Sequence, residues 1–481
     1  MMRLKTRVVV ILLAGVITSL GQGCDGFTPH SFEKTIANSL EHHIDPEPQL
    51  PGSPGENEEE SPPLPGSSSC TDSSIPAARR TVNVSSTDDW CAIVKAAQPG
   101  DHVVFAPGFY SRACRIETNG TAAAPIVLRS QDPSNKAVFN YGGTASNLFD
   151  IYSVYTIFHQ LAFKNTAAGV VTLRINKGHD ITVQQCLFDS MGSNTITANR
   201  INPEPFDRII LQENTFTRLK AAPVYLGCSN GTDCTATNFV VQRNFIDGRD
   251  INDPGIVGYG MEFKPNSYGI IQDNAVYFTQ GPGIMVFGSN KGVPANIIRG
   301  NYVEGSRNDA GINVGGGPAR VYNNILVGNA YGGIYAQNYG GRNWQKDINI
   351  VNNTLINNKI AGIVTQAWQN GVGNLIALNA ILPLGGTPAI QPATSLGQIF
   401  DNVTCGTDCF ASQPTTAPYI FTPSSTGPLV TGGAATATYD KPTFDFFGIT
   451  RGPSDSTRGA IVIDPETAGL TVGGLKTKPC K

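Results

Sequence analysis

Charged residues are scarce. They make up 15% of the 481-residue chain, against roughly 25% in an average globular protein. Coiled coils and long Glu/Lys-faced helices are thereby excluded. Long apolar runs are lacking as well. The run Val8–Leu20 has thirteen residues, short of the roughly 20 needed to span a bilayer as a helix. No basic block occurs, so nothing points to nucleic acid. The six His form no H-E-x-x-H set and no paired C-x-x-C ligands occur, so no zinc site is expected. Gly is abundant, at 53 residues, but without the three-residue period of collagen. The hydrophobic fraction of 40% can build a core, which excludes overall disorder. What remains is a β-rich chain with many Gly and Asn turns.

The net charge of −3 is unevenly spread. Residues 1–23 carry +3, residues 24–79 carry −8, and residues 80–481 carry +2. A basic start, the apolar run Val8–Leu20 and small residues before Cys24 predict a signal peptide over 1–23. The segment Leu20-Gly21-Gln22-Gly23-Cys24 resembles a bacterial lipoprotein signal, although its Leu stands four residues before the Cys where that signal has three. Lipidation at Cys24 and plain secretion both fit. A lipid anchor at Cys24 is the only membrane attachment expected. Residues 24–78, rich in Pro, Ser, Gly and Glu, read as a disordered tether. The expected location is secreted, or held at the cell surface or outer membrane, and the chain is expected to be a monomer.

One pattern recurs from 155 to 385: apolar, x, apolar, two polar residues, Asn, x, apolar. Its copies include IILQENTF at 209–216, FVVQRNFI at 239–246 and INIVNNTL at 348–355. The central residues are Cys186, Asn214, Asn244, Asn274, Asn301, Asn324, Asn353 and Asn379, with an earlier copy centred on Leu161. The mean spacing is about 27 residues, too short for propeller blades of roughly 40. Each repeat holds short alternating β runs and no room for a long helix. Such a unit must stack on copies of itself to bury its inner face. Asn suits the turn because it tolerates a left-handed backbone and can bond the Asn of the next coil. The prediction is all-β: a single-stranded parallel β-helix over 79–385, with 386–481 as its terminal segment and C-terminal cap.

The repeats resemble the right-handed parallel β-helix of the pectin-lyase-like superfamily, and the resemblance implies a right-handed coil here. The stretch 88–110 resembles that superfamily's opening, a short capping helix followed by Pro99-Gly100-Asp101, a strand and Gly108-x-Tyr110. Either Asp88 or Asp89 can cap the helix. The stretch 443–463, with Arg458-Gly459-Ala460, resembles the closing segment of many β-helix proteins.

Ten Cys and an export signal imply disulfides. Close spacing favours Cys228–Cys234 and Cys405–Cys409. Cys91–Cys114 can tie the cap to the first coil, and Cys70 can meet Cys480. Cys186 reads as a free buried thiol.

The candidate site is the strand Gly258–Lys264. Alternation turns Met261 and Phe263 inward and puts Glu262 and Lys264 on the outer face. Aligning the repeats stacks Tyr225 before them, then Met285 and Phe287, then Asn313, then Tyr335 and Gln337. Arg249, Asp250 and Asp253 lie in the loop entering the strand, and Arg307 and Asp309 in a later one. The strand resembles, faintly, the β-helix alginate and chondroitin lyases, in which acidic residues that bind Ca²⁺ precede a Lys base and an Arg follows on the next coil. That resemblance implies Lys264 as proton acceptor, Glu262 as the group that orients it or holds a cation, and Ca²⁺ as the one cofactor to consider. Phe287 stands where that Arg would be, so Arg307 is the remaining cation for a uronate carboxylate. Tyr225, Asn313 and Tyr335 would bind sugar. The bland alternative is a solvated Glu/Lys pair without chemistry. Two functions are therefore expected to compete: a uronate-specific lyase acting on extracellular acidic polysaccharide, and a non-catalytic glycan-binding or adhesion protein.

Overall fold

The computed structural model describes residues 75–462, except 252–257, 369–372, 393–397, 407, 413, 415–420, 431–441 and 453–454. The predicted signal peptide, Cys24, all but the last four residues of the predicted tether, Cys70, Asp253 and Cys480 lie outside the described residues.

Among the described residues three parallel sheets run along the solenoid, with 13, 12 and 11 strands. The first extends from Arg80–Val84 to Gln398–Phe400, the second from Phe109–Tyr110 to Val403–Thr404, and the third from Cys114–Ile116 to Ile390–Gln391. Each coil visits them in that order, and the chain forms a right-handed β-helix of stacked coils. Inward residues stack on like residues. The rings of Phe163, Phe188 and Phe216 follow one another at 4.8 Å, the rise of one coil.

The expected Asn column lies at the turn between the first and second sheets. Asn214 Oδ1 accepts from the Cys186 backbone N–H at 3.0 Å. Asn214 Nδ2 donates to Asn244 Oδ1 at 3.0 Å. The same bond links Asn244 to Asn274, Asn274 to Asn301, and so on to Asn402, one coil beyond the repeats legible in the sequence. The ladder satisfies amides that burial would otherwise leave at a cost of about 1–3 kcal/mol each. One expectation is corrected. The left-handed residue of each turn is not the ladder Asn but the residue before it, such as Glu213, Arg243 and Asp273 with φ of 57°, 52° and 56°. The Asn is kept for its bonds.

The predicted cap helix spans Trp90–Lys95, and Asp89 accepts from the Ala92 N–H. Trp90 closes the core end against Phe139 and Phe149. Among the described residues Cys91–Cys114, Cys228–Cys234 and Cys405–Cys409 are bonded, and Cys186 is free and buried. The closing segment packs beside the Asn ladder. The Asn352 amide donates to the Thr457 carbonyl at 2.9 Å, and the Ala460 N–H to Thr354 Oγ1 at 2.9 Å.

Candidate functional site

The outer row of the third sheet follows the predicted order. Thr197, Tyr225, Glu262, Met285, Asn313 and Tyr335 are successive register partners. Lys264 continues the ladder past its strand, its N–H donating to the Leu226 carbonyl at 2.8 Å. This places Lys264 across from Gly227. The glycine has φ of 91°, and a Cβ there would stand 3.0 Å from the Lys264 Cβ and 2.5 Å from Ser267 Oγ. Phe287 follows on the next coil, bonded to the Phe263 carbonyl.

The Glu262–Lys264 pair is not solvated. The two residues are 4% and 8% exposed although they point away from the core. Lys264 Nζ lies 2.7 Å from Glu262 Oε2. It also sits 4.5 Å from the ring centroids of Tyr225 and Phe287, and 5.9 Å from that of Tyr259. An ammonium over aromatic faces is attracted by their quadrupoles. Burial pulls the Lys264 ammonium toward deprotonation, but the Glu262 carboxylate and Tyr225 outweigh it and hold Lys264 above the ordinary lysine value. Burial raises the Tyr225 hydroxyl too, and Ser229 shares a hydrogen bond of 2.9 Å with it.

Two coils on, Asn313 Nδ2 donates to Gln337 Oε1 at 2.9 Å. Its buried Oδ1 has no hydrogen-bond partner among the described residues. Beside it, burial pushes the Asp309 carboxyl up, with the Ala310 N–H and the Asn313 amide working against that shift. Asp309 lies in a loop the sequence places, but the burial that shifts its carboxyl comes from surroundings the sequence does not show. Tyr335 reaches the row, but its ring is packed on Tyr331 at 4.7 Å and against Ala310 and Val364. The Tyr225 ring likewise lies against Lys264, so neither is an open stacking platform.

Arg307 is not brought to this pair. Its guanidinium donates to the Arg249 and Ile251 carbonyls. It lines a separate depression with Arg218, Lys220, Arg249 and Asp250. The residues around Glu262 do not fit a Ca²⁺ ion. Among the described residues no group of three His, Cys, Asp or Glu converges, and the Glu262 carboxylate is engaged by Lys264 where a hard cation wants several oxygens.

Residues 164–344 and 228–387 match the family described as "Right handed beta helix region". No curated protein matches the sequence. Among solved structures, an alginate lyase from Paenibacillus sp. str. FPU-7 is similar at 16% identity and TM-score 0.38, over 68% of this chain and 100% of that one. A pectate lyase is similar at 13% identity and TM-score 0.43, over 78% and 97%. A PL6 family alginate lyase is similar at 16% identity and TM-score 0.46, over 76% and 60%. Similarity this shallow carries no chemistry to the present chain. By its coil architecture the chain folds as a right-handed parallel β-helix, and residues 164–387 match the β-helix family model.

Proposed function

We propose that this protein is exported and acts on an extracellular uronate-containing polysaccharide lying along the outer face of the third sheet. The observation that carries the reading is the buried Glu262–Lys264 pair at 2.7 Å beneath Tyr225 and Phe287. Burying two charges is expensive, and apolar residues of similar size usually serve stability as well or better. A desolvated, coupled ionisable pair on an outward face therefore points to function. Three disulfides among the described residues fit an oxidising compartment.

The reaction proposed is β-elimination. Lys264 Nζ, once deprotonated, takes the C5 proton of a uronate unit. The carbanion's electron pair forms the C4–C5 double bond as the C4–O4 bond breaks, and the departing oxygen takes a proton from water. Hydrogen-bond donors must meet the uronate carboxylate as charge develops there. With Arg307 elsewhere, that role falls to the Asn313 amide, two coils beyond Glu262 on the same outer row. Glu262 holds Lys264 in place and keeps it charged at neutral pH, so the base is released only under alkaline conditions.

That same charge favours a second reading. An ammonium kept protonated in an aromatic box recognises carboxylates without chemistry, as a glycan-binding protein would. The test is a screen of alginate, pectate and chondroitin at neutral and alkaline pH. Absorbance at about 235 nm reports the new double bond of an elimination, and retention on each immobilised polymer reports binding. Elimination supports the lyase, and retention without elimination the binding protein. Neither, on any uronate, overturns both.

A further inference from the structure

Toward the N-terminal coils, the outer row of the third sheet changes character. Before Tyr225 its successive register partners are Thr197, Arg174, Asp150 and Arg115. Arg174 is half-exposed and Arg115 is exposed. Asp150 between them accepts from the amides of Asn147 and Asn176 at 2.8 and 2.7 Å. Beside the row stands Tyr152, with the Arg115 guanidinium 4.1 Å from its ring centroid. The exposed Arg200 donates to the Tyr152 hydroxyl at 2.7 Å. Between this cluster and Tyr225, Thr197 Oγ1 and Asn199 Oδ1 are buried without a hydrogen-bond partner among the described residues. In the other direction the row continues as Met285, Asn313, Tyr335 and Val364, without charge.

We infer that the acidic chain is held on the N-terminal side of the Glu262–Lys264 pair, in a second subsite where Arg174 and Arg200 take a uronate carboxylate beside Tyr152. This rests on the polysaccharide reading above and adds a direction to it. Three coils separate Glu262 from Arg174, roughly 14 Å at the spacing of adjacent strands. A dimer seated at Lys264 does not span that distance, while a longer oligomer does. Guanidinium pairs with carboxylates strongly and with defined geometry. The unpartnered oxygens of Thr197 and Asn199 can accept from sugar hydroxyls on the way. The mixed charge of the cluster suits one carboxylate at a time, since Asp150 repels a second close by.

The experiment is calorimetric titration of the full chain with oligogalacturonates and oligomannuronates from dimer to hexamer. The variants are Arg174→Ala and Arg200→Ala, with Arg208→Ala on the outer first sheet as a control. The expected result is tighter binding of hexamer than of dimer by the wild type, and about a tenfold loss of that gain in either variant. The control should behave as wild type. If both variants keep the full gain while the wild type binds oligouronates, the subsite is overturned and the polysaccharide reading stands. If the gain is lost equally in the control, the effect is non-specific charge and the subsite is likewise overturned. If the wild type binds no oligouronate, the polysaccharide reading falls and takes the subsite with it. Melting temperatures of the variants, expected to match wild type for half-exposed or exposed positions, separate lost contacts from lost fold.

Discussion

Gly227 faces Lys264 across adjacent coils, so close that a Cβ on the glycine would stand 3.0 Å from the Lys264 Cβ. Its φ of 91° is a conformation L-residues rarely adopt. Gly227→Ala should therefore cost about 1–3 kcal/mol through backbone strain, and should displace Lys264 from its ring partners. Chemical denaturation measures the first effect. Weaker polymer retention at unchanged secondary structure measures the second.

The buried pair makes a prediction about stability. Lys264→Met strands the Glu262 carboxyl and should cost about 3–5 kcal/mol, whereas replacing both residues by Met should be near neutral or stabilising. Thermal melts of the two variants at neutral pH decide this. A double variant less stable than the single would remove the electrostatic account.

The pH dependence has a definite sign. Glu262 holds the Lys264 value above its usual 10.5. The stability this contributes is fully present below the unfolded lysine value and is lost as pH rises through the folded one. Activity runs the other way and should climb with alkalinity. Glu262→Gln removes the anion and leaves burial to act, so the rising limb of the rate profile should move to lower pH. A limb that stays in place or moves up assigns the proton acceptor to another group.

The Asn ladder can be tested at its centre. Asn274 accepts from the Asn244 backbone and amide and donates to Asn301 and to the Val241 carbonyl. Asn274→Ala should cost about 2–4 kcal/mol, because buried partners on both sides lose their bonds. Urea unfolding would detect it.

Much of this architecture is legible in the chain. The Asn spacing reads out the coils, and period-2 alternation puts Glu262 and Lys264 on one face with Tyr225 and Asn313 as neighbours. The burial of that face is not legible. Side-chain alternation gives direction relative to the core, but it cannot tell that Tyr259, Phe287 and the turn at Ser229 close over the ammonium. Arg307 illustrates the same limit. Its loop is placed by the repeats, yet the carbonyls of Arg249 and Ile251 that hold its guanidinium come from two coils away. The ladder's last member, Asn402, is missed because the final coil departs from the apolar pattern around it.

The central claim is that Lys264 accepts a proton from a uronate. Lys264→Arg keeps the positive charge beside Glu262, and so keeps the fold, but presents a guanidinium that does not deprotonate in this range. The decisive measurement is the rate of absorbance rise at about 235 nm on the best uronate polymer at alkaline pH, for wild type and this variant side by side. Loss of a general base predicts a fall of roughly 10²–10⁴ in rate at an unchanged melting temperature. Full activity in the variant would contradict the account.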